Sequence, residues 1–276
     1  MRGHRGVTVD SVTTASDDTR GGEFVQSLDR GLAVIRAFGA GRPSMTLSDV
    51  ARETGLSRAV ARRFLHTLVE LGYVAFDGRE FRLRPRLLDL GHAYLSGLGL
   101  PEIAQPHLQR LSEVTGESTS VAVIDGSDIV YVARVAVYRI MSIAIGVGTR
   151  LPAHATSMGR AILACGSPAR AEQFLADAPL TAFTDHTITD PDALRAEFAR
   201  VRSQGWALVD QELEGGLRSV AAPLRDATGE VVAAVNISAP VRRGSVAAIE
   251  EHLVTPLRDA ATAIEADIAR VGLRVR

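Results

Sequence analysis

Hydrophobic and polar positions follow two periods along this chain, and the changes of period mark its elements. Residues 1–23 are rich in Thr, Ser, Asp and Gly and hold almost no large apolar group, so they are expected to form a disordered tail. From Phe24 the apolar positions recur at helical spacing. A first helix is predicted from Ser27, with Leu28, Leu32 and Ile35 on one stripe. A second is predicted from Thr46 to Thr54, where Thr46 and Asp49 form a capping-box pair and Gly55 closes the helix. Gly55 and Leu56 then lead to Ser57, which can cap a third helix reaching Leu71, with Val60, Phe64, Leu68 and Leu71 on one face. Alternation takes over next. Val74 and Phe76 face Phe81 and Leu83 across Asp77-Gly78, a two-residue turn signal.

The pattern divides the rest of the chain into a helical connector, residues 86–99, and a larger domain, residues 100–276. The connector helix, Arg86–Ser96, carries Leu87, Leu90 and Tyr94 on one stripe and ends in the Gly-rich Ser96-Gly97-Leu98-Gly99. The larger domain opens with a helix over Pro101–Thr115, bounded by Pro101 and Gly116. Ser120–Ile124 and Ile129–Val135 flank Asp125-Gly126 as a hairpin, and Ile140–Val147 reads as a further strand. Helices are predicted over Ser157–Cys165, Pro168–Asp177 and Asp190–Gln204. Strands follow over Trp206–Leu213, Ser219–Leu224 and Glu230–Ser238, and a last helix over Ser245–Arg270.

Charge sharpens this picture. The whole chain carries −1, yet residues 27–86 hold eleven arginines against six acids, a net +5, so a basic module is joined to an acidic remainder. All 31 basic residues are arginine, a bias that most simply reflects GC-rich codons. Two helices joined by a tight Gly-containing turn form a helix-turn-helix, and the hairpin after them is a wing. Opposite its apolar stripe the third helix presents Arg58, Ala59, Arg62, Arg63 and His66. Arginine can donate two hydrogen bonds to guanine in the major groove, while Ser57 and Arg58 at the helix start suit base edges or a phosphate. Arg79 and Arg82, with Arg84 and Arg86, cluster on the wing, where contacts to phosphate would set affinity and salt sensitivity rather than sequence choice. The bland alternative, a solvated surface helix, competes for any single arginine but not for the ensemble. Residues 24–85 are therefore expected to be a winged helix-turn-helix that binds double-stranded operator DNA.

Other features narrow the class. A single cysteine, Cys165, forms no internal disulfide and fits a reducing cytoplasm. No signal-peptide run or membrane-length apolar stretch is present, so the chain is expected to be cytoplasmic with no membrane partner. His154, Cys165 and His186 are too scattered for a zinc motif, and His154 after Pro152 reads as fixing a loop; neither metal nor cofactor is expected.

The stretches FVQSLDRGLAVIRAF, TLSDVARETGLSRAVARRFLHTLVELGYV, LPAHATSMGRAILA (Leu151–Ala164) and GWALVDQELEGGLRSVAAPLRD (Gly205–Asp226) together resemble the IclR family of bacterial transcription regulators. The resemblance runs from Phe24 to about Val271. Within the family, SMGR, AVNIS and YVARV look most like the branch that governs aromatic-acid breakdown through the β-ketoadipate route, whose members respond to protocatechuate, 4-hydroxybenzoate, β-ketoadipate or related acids. The chain departs from the usual signature at Val209, where an acid is common, and at Arg225, where an aromatic is common.

The resemblance implies an α+β chain: the winged helix-turn-helix, a linker helix that pairs with its twin, and a GAF-like α/β effector-binding domain. It implies a homodimer, or a homotetramer made of two dimers, with RNA polymerase as a further partner. It also carries an effector pocket onto Ser157, Met158, Leu217, Ser219, Asn236 and Ser238, with Asp210 and Val209 at the rim. The residue types suit an organic acid, since Asn236 and Ser238 share a strand face and Ser157 can cap a helix whose free N–H groups favour a carboxylate. Each has an ordinary reading too: a strand Ser or Asn satisfied within the fold, a plain helix cap, a core Met. Arg134, Arg150, Arg160 and Arg218 are candidate carboxylate partners against the plainer reading of surface salt bridges. Three rivals stay open: a related regulator of a short keto acid or sugar acid, a protein-binding module, and a hydrolase using Ser157 or Ser219. For the last, no Gly-x-Ser-x-Gly elbow exists, and a Ser-x-x-Lys pair is impossible without lysine, so no catalytic residue is expected.

Overall fold

The computed structural model describes residues 24–39, 41–137 and 145–274. The expected tail over 1–23 and most of the expected strand Ile140–Val147 lie outside these residues. The remainder, 145–147, is not strand. The chain divides into two compact units after His92.

In the first unit, α1 (Gln26–Arg36), α2 (Leu47–Thr54) and α3 (Arg58–Glu70) pack with a small antiparallel sheet of β1 (Ser44–Thr46), β2 (Val74–Phe76) and β3 (Glu80–Leu83), in the order β1-β3-β2. Thr46 and Asp49 cap α2 reciprocally, Gly55 closes it at φ +68°, and the Ser57 hydroxyl accepts from Val60 N–H at the start of α3. Strand β1 has no counterpart in the sequence pattern, because three residues are too few to show alternation. The wing pairs as expected, Val74 with Leu83 and Phe76 with Phe81. Its connection is three residues, not two: the Asp77 carboxylate accepts from the N–H groups of Arg79 and Glu80, which adds Arg79 to the turn.

Two apolar stripes sit elsewhere than the sequence suggests. In α1 the inward residues are Gly31, Val34 and Ile35, continued by Phe38, while Leu28 and Leu32 are 62% and 43% exposed. Gly31 faces the Phe64 ring, where even a Cβ would find ordinary contact at 3.7 Å, so this side of α1 is the one packed on α3. In α3 the buried set is Ala61, Leu65 and Leu68; Val60 and Phe64 are half-buried and Leu71 is exposed. Both helices have apolar residues over a wide arc, and only their partners choose which part is covered.

The connector is more helical than expected. A short 3-10 turn, Pro85–Leu87, leads into α4 (Leu88–Leu98), so Ser96, Gly97 and Leu98 belong to the helix and Gly99, at φ +64°, makes the break. Leu90 and Tyr94 are exposed, Leu87 is half-buried, and Leu88 is more exposed than any of them.

The second unit is built on a six-stranded antiparallel sheet. Its strands are β4 (Ser118–Asp125), β5 (Asp128–Val135), β6 (Arg150–Pro152), β7 (Ala207–Asp210), β8 (Leu217–Arg225) and β9 (Val231–Pro240), in the order β6-β5-β4-β9-β8-β7. One face packs on α5 (Leu100–Thr115) and α9 (Val246–Val271) through Leu108, Val121, Val235, Ile237, Leu257 and their neighbours. The other face is lined with small residues, Ala122, Ala221 and Ala234, and receives α6 (Ser157–Cys165), α7 (Pro168–Asp177) and α8 (Pro191–Gln204). Helices thus lie on both sides of the sheet, in keeping with the α/β domain that the family resemblance implies after a helix-turn-helix. Strand β7 is shorter than Trp206–Leu213, because Gln211 takes a left-handed conformation (φ 61°) and turns the chain out of the sheet.

Candidate functional site

Two sites emerge, one in each unit. In the first, Arg58, Ala59, Arg62, Arg63 and His66 all lie on the exposed side of α3, with Ser57 at its start. Arginines divide sharply here. Arg36 faces Asp29, Arg42 is paired with Glu53, and Arg52 meets Asp49 at 2.6 Å. Arg86, expected on the basic wing surface, instead donates to the Leu71 carbonyl at 2.9 Å and lies over the Tyr73 ring, so it fastens the wing's exit to α3. Among the described residues Arg58, Arg62, Arg63, Arg79 and Arg82 have no carboxylate partner. The His66 ring stands edge-on to Phe76 and Phe81, at 6.2 Å from each, so the helix and the wing form one basic surface.

In the second unit a narrow cavity opens between the sheet and the start of α6. Its volume is about 20 Å³, little more than room for one water molecule. Ser157, Met158, Leu217, Ser219, Asn236 and Ser238 all line it, and so does Val209. The register explains why: Ser219 pairs with both Ser238 and Val209, so the three point to one face. Asp210 is the exception among the expected residues. Alternation along β7 turns it away from the cavity, and it accepts from Arg218 Nε at 2.6 Å. Tyr131, Ile145, Ala155, Thr156, Leu213 and Glu214 complete the lining and were not anticipated. Glu214 and Leu213 come from the loop after β7; the pattern ran its strand on to Leu213 and gave Glu214 no element. Tyr131 was hidden inside an apolar strand.

The cavity holds unsatisfied polar atoms. Arg134 lies outside the lining and donates to Ser120 Oγ at 3.2 Å. Among the described residues, the lining atoms Ser157 Oγ, Asn236 Oδ1 and Glu214 Oε2 are enclosed without a hydrogen-bond partner. Each such group costs roughly 1–3 kcal/mol if nothing binds it, so their gathering around one space marks a place for a polar ligand. Thr156, not Ser157, caps α6: its hydroxyl accepts from Gly159 N–H at 3.2 Å, which leaves Ser157 free to face the cavity.

Behind the cavity lies a buried ion pair. Arg160, 1% exposed, grips Glu212 with both guanidinium ends (Nη1 to Oε1 at 2.7 Å) and donates through Nε to the His154 carbonyl. Glu212 also accepts from Ile188 N–H at 3.0 Å, and His154 bonds the Thr181 carbonyl at 3.0 Å. Arg160 is thus neither a free carboxylate partner nor a surface salt bridge; it ties α6 to the loops that close the cavity. Arg218 is a buried strut as well, held by Asp210 and the Gly244 carbonyl, whereas Arg150 is the surface pair expected, with Asp125 and Asp128. Burial holds the His154 imidazole below its usual pKa. Gly159 is required by packing, since a Cβ there would lie 2.2 Å from the Ala153 carbonyl oxygen. No group of three or more His, Cys, Asp or Glu side chains among the described residues is arranged to hold a metal.

Known proteins resemble this chain in both units. The IclR helix-turn-helix domain matches residues 27–78, and the C-terminal domain of the bacterial transcriptional regulator IclR matches residues 92–266. The Pca regulon regulatory protein of Pseudomonas putida is 46% identical over 233 residues, 84% of this chain and 80% of that protein. A transcriptional regulator from Rhodococcus sp. RHA1 superposes with a TM-score of 0.80 at 55% identity, covering 90% of this chain and 100% of that one. An IclR homologue of Microbacterium hydrocarbonoxydans, solved in complex with 4-hydroxybenzoate, gives 0.78 at 30% identity over 89% of this chain and 99% of that one. With both domain models matched across an unpaired basic α3 and a polar-lined cavity, this chain belongs to the IclR family of ligand-responsive, DNA-binding transcription regulators.

Proposed function

We propose that this regulator binds operator DNA as a homodimer and senses an aromatic acid, or an intermediate of its breakdown, in the cavity beside α6. The carrying observation is the enclosure of Ser157 Oγ, Asn236 Oδ1 and Glu214 Oε2, without partners among the described residues, around one space walled by Met158, Leu217 and Val209. The Pca regulon regulator and the 4-hydroxybenzoate complex among its relatives support the ligand class. On the DNA side, Arg58 and Arg62 read base edges in the major groove, with Ala59, Arg63 and His66 beside them. Ser57 meets a phosphate at the helix start, and Arg79 and Arg82 contact phosphates from the wing. Exposed Phe24, Val25, Leu28 and Leu32 around α1, and Leu88, Leu90 and Tyr94 on α4, are apolar surface suited to a second copy, and two copies would set the spacing of half-sites. Dimers pair into tetramers, or meet RNA polymerase, through surfaces beyond these. The protein works in the cytoplasm, where its DNA target is, and acts as a regulator rather than an enzyme; among the described residues Ser157 Oγ has no hydrogen-bond partner that could activate it.

The test is a titration of the full chain with 4-hydroxybenzoate, protocatechuate, β-ketoadipate, glyoxylate and pyruvate, read by melting temperature and by operator affinity. An aromatic acid or β-ketoadipate is expected to raise the melting temperature and to change operator affinity by about 1–3 kcal/mol. In Asn236→Leu the ligand response disappears while operator binding is kept. Calorimetry that finds wild-type ligand affinity in Asn236→Leu removes the cavity from the account. A response to glyoxylate or pyruvate alone transfers it to the keto-acid reading.

A further inference from the structure

A cavity of about 300 Å³ elsewhere in the second unit shares no lining residue with the one beside the start of α6. It exists because one edge of the sheet is only partly covered. Strand β7 pairs with β8 from Arg218 to Ala221 and begins there, at Ala207. Helix α8 enters β7 through Gly205, at φ +81°, which brings no side chain to fill the gap. Among the described residues, Pro223 and Arg225 of β8 therefore have no strand beyond them. Pro223 has no N–H to expose, and the Arg225 N–H donates at 2.8 Å to Glu265 Oε1 from α9.

An uncovered edge lets both faces of the sheet contribute. At the end of β8 the register slips: Leu224 pairs with Ala233 but Arg225 pairs with Val231, leaving Val232 as an extra residue. Val231 packs on the α6 side, so Arg225 is turned toward the side on which Cys165 ends α6. From the other side α9 presents Arg258, Ala261, Thr262 and Glu265, which share one helical face. Arg202 comes from the last turn of α8, where its Nε donates to the Ala164 carbonyl at 2.7 Å.

Three guanidinium groups from three elements thus line one space, and none of them forms an ion pair among the described residues. Their neighbours on α8 behave otherwise: Arg195 pairs with Glu172 at 3.0 Å and Arg200 with Glu197 at 2.6 Å. Arg202 is held by its Nε alone, which keeps its two terminal nitrogens for another partner, and the side chains of Arg225 and Arg258 make no hydrogen bond among the described residues. Glu265 is the one acid in the lining, and its Oε1 is engaged by the backbone. Burial pushes the Cys165 thiol up, so it stays protonated and adds no charge. Three positive charges against one negative leave a net +2, and like charges gathered in one place raise the energy of the fold unless an anion neutralises them.

We propose that this cavity is a second ligand site and that it takes a phosphoryl dianion, free or carried on a small organic molecule. Guanidinium forks from α8, β8 and α9 suit the three oxygens of a tetrahedral phosphoryl group, whereas a carboxylate offers only two in a plane. The net charge matches a dianion, and the volume leaves room for a small organic remainder. This site is independent of what the effector cavity binds.

The sole cysteine of the chain is a reporter already in place, because it lines the site. Alkylation of Cys165 by iodoacetamide and calorimetry are carried out on the full chain with glycerol 3-phosphate, inorganic phosphate and succinate as probes. Both phosphates are expected to bind at one site per chain and to slow alkylation severalfold at saturation, with succinate binding about tenfold or more weakly. Equal affinities assign the site to the free ion, and tighter glycerol 3-phosphate assigns it to an ester. Binding weakens as pH falls through about 6, where the phosphoryl group takes up its second proton. Arg225→Gln and Arg258→Gln each lower affinity about tenfold, and together about a hundredfold. Arg170→Gln, which removes an exposed arginine outside the lining, changes nothing. Retained operator binding and an unchanged melting temperature of the unliganded protein show that each variant is folded, and the wild-type ranking of probes needs no variant. Four results overturn the assignment: neither phosphate binds at millimolar concentration, succinate binds as well as the phosphates, Cys165 is alkylated at the same rate at saturation, or the double variant keeps wild-type affinity. An equal loss in Arg170→Gln also overturns it, since binding would then follow surface charge and not this cavity.

Discussion

The two units use the same residue type in opposite ways. On α3 and the wing, Arg58, Arg62, Arg63, Arg79 and Arg82 are exposed and form no ion pair among the described residues, while in the second unit Arg160 and Arg218 are buried and satisfied. An exposed arginine without a carboxylate keeps its donors for an external polyanion. A buried arginine must spend them internally, because an unpaired buried charge is far costlier than an exposed one. The first arrangement favours binding over local stability, and the second holds loops in place. Charge count alone does not distinguish them; burial and partner do.

Substitutions can break this contrast from its strongest point downward. Arg160→Met leaves Glu212 buried without its partner and is expected to destabilise the second unit by about 3–5 kcal/mol in chemical denaturation. A loss under about 1 kcal/mol would mean that the clamp is relaxed in solution. Gly159→Ala forces a methyl group into the Ala153 backbone, and a loss at or above the usual overpacking cost of about 3 kcal/mol is expected. Arg62→Ala on α3 is expected to leave the melting temperature unchanged while costing about 1–3 kcal/mol of operator affinity and relaxing sequence choice. Arg79→Ala should instead weaken binding to all sequences and reduce the salt slope by about one. Unaltered operator preference in a binding-site selection would contradict the role given to Arg62. The smallest effect comes from pH. The folded pKa of His154 lies below its unfolded value, so the unfolded chain takes up the proton first, and the second unit is expected to lose stability as pH falls below about 6.5. His154→Gln should flatten that dependence in thermal melts.

Much of this was legible in the sequence, unevenly. Caps and turns were the clearest, since Thr46 with Asp49, Ser57, Asp190 and Gly205 act through neighbours within a few residues. The cavity residues carried by motif, Ser157, Met158, Leu217, Ser219, Asn236 and Ser238, do converge on one space. Side-chain direction was less legible. Leu28 and Leu32 read as core but face outward, because α1 packs through Val34, Ile35 and Phe38 instead. Asp210 was assigned to the rim although alternation from Val209 turns it away, and Arg86 to the basic surface although it holds Leu71.

Local chemistry in the chain thus determined which segments coil, which extend and where they stop, since those choices depend on contacts within a turn or two. The tertiary structure decided which arginines stay free of acidic partners and which polar atoms are enclosed around the cavity. Pairing, burial and a one-residue slip between strands depend on residues far apart in sequence, and such relations have no period to read.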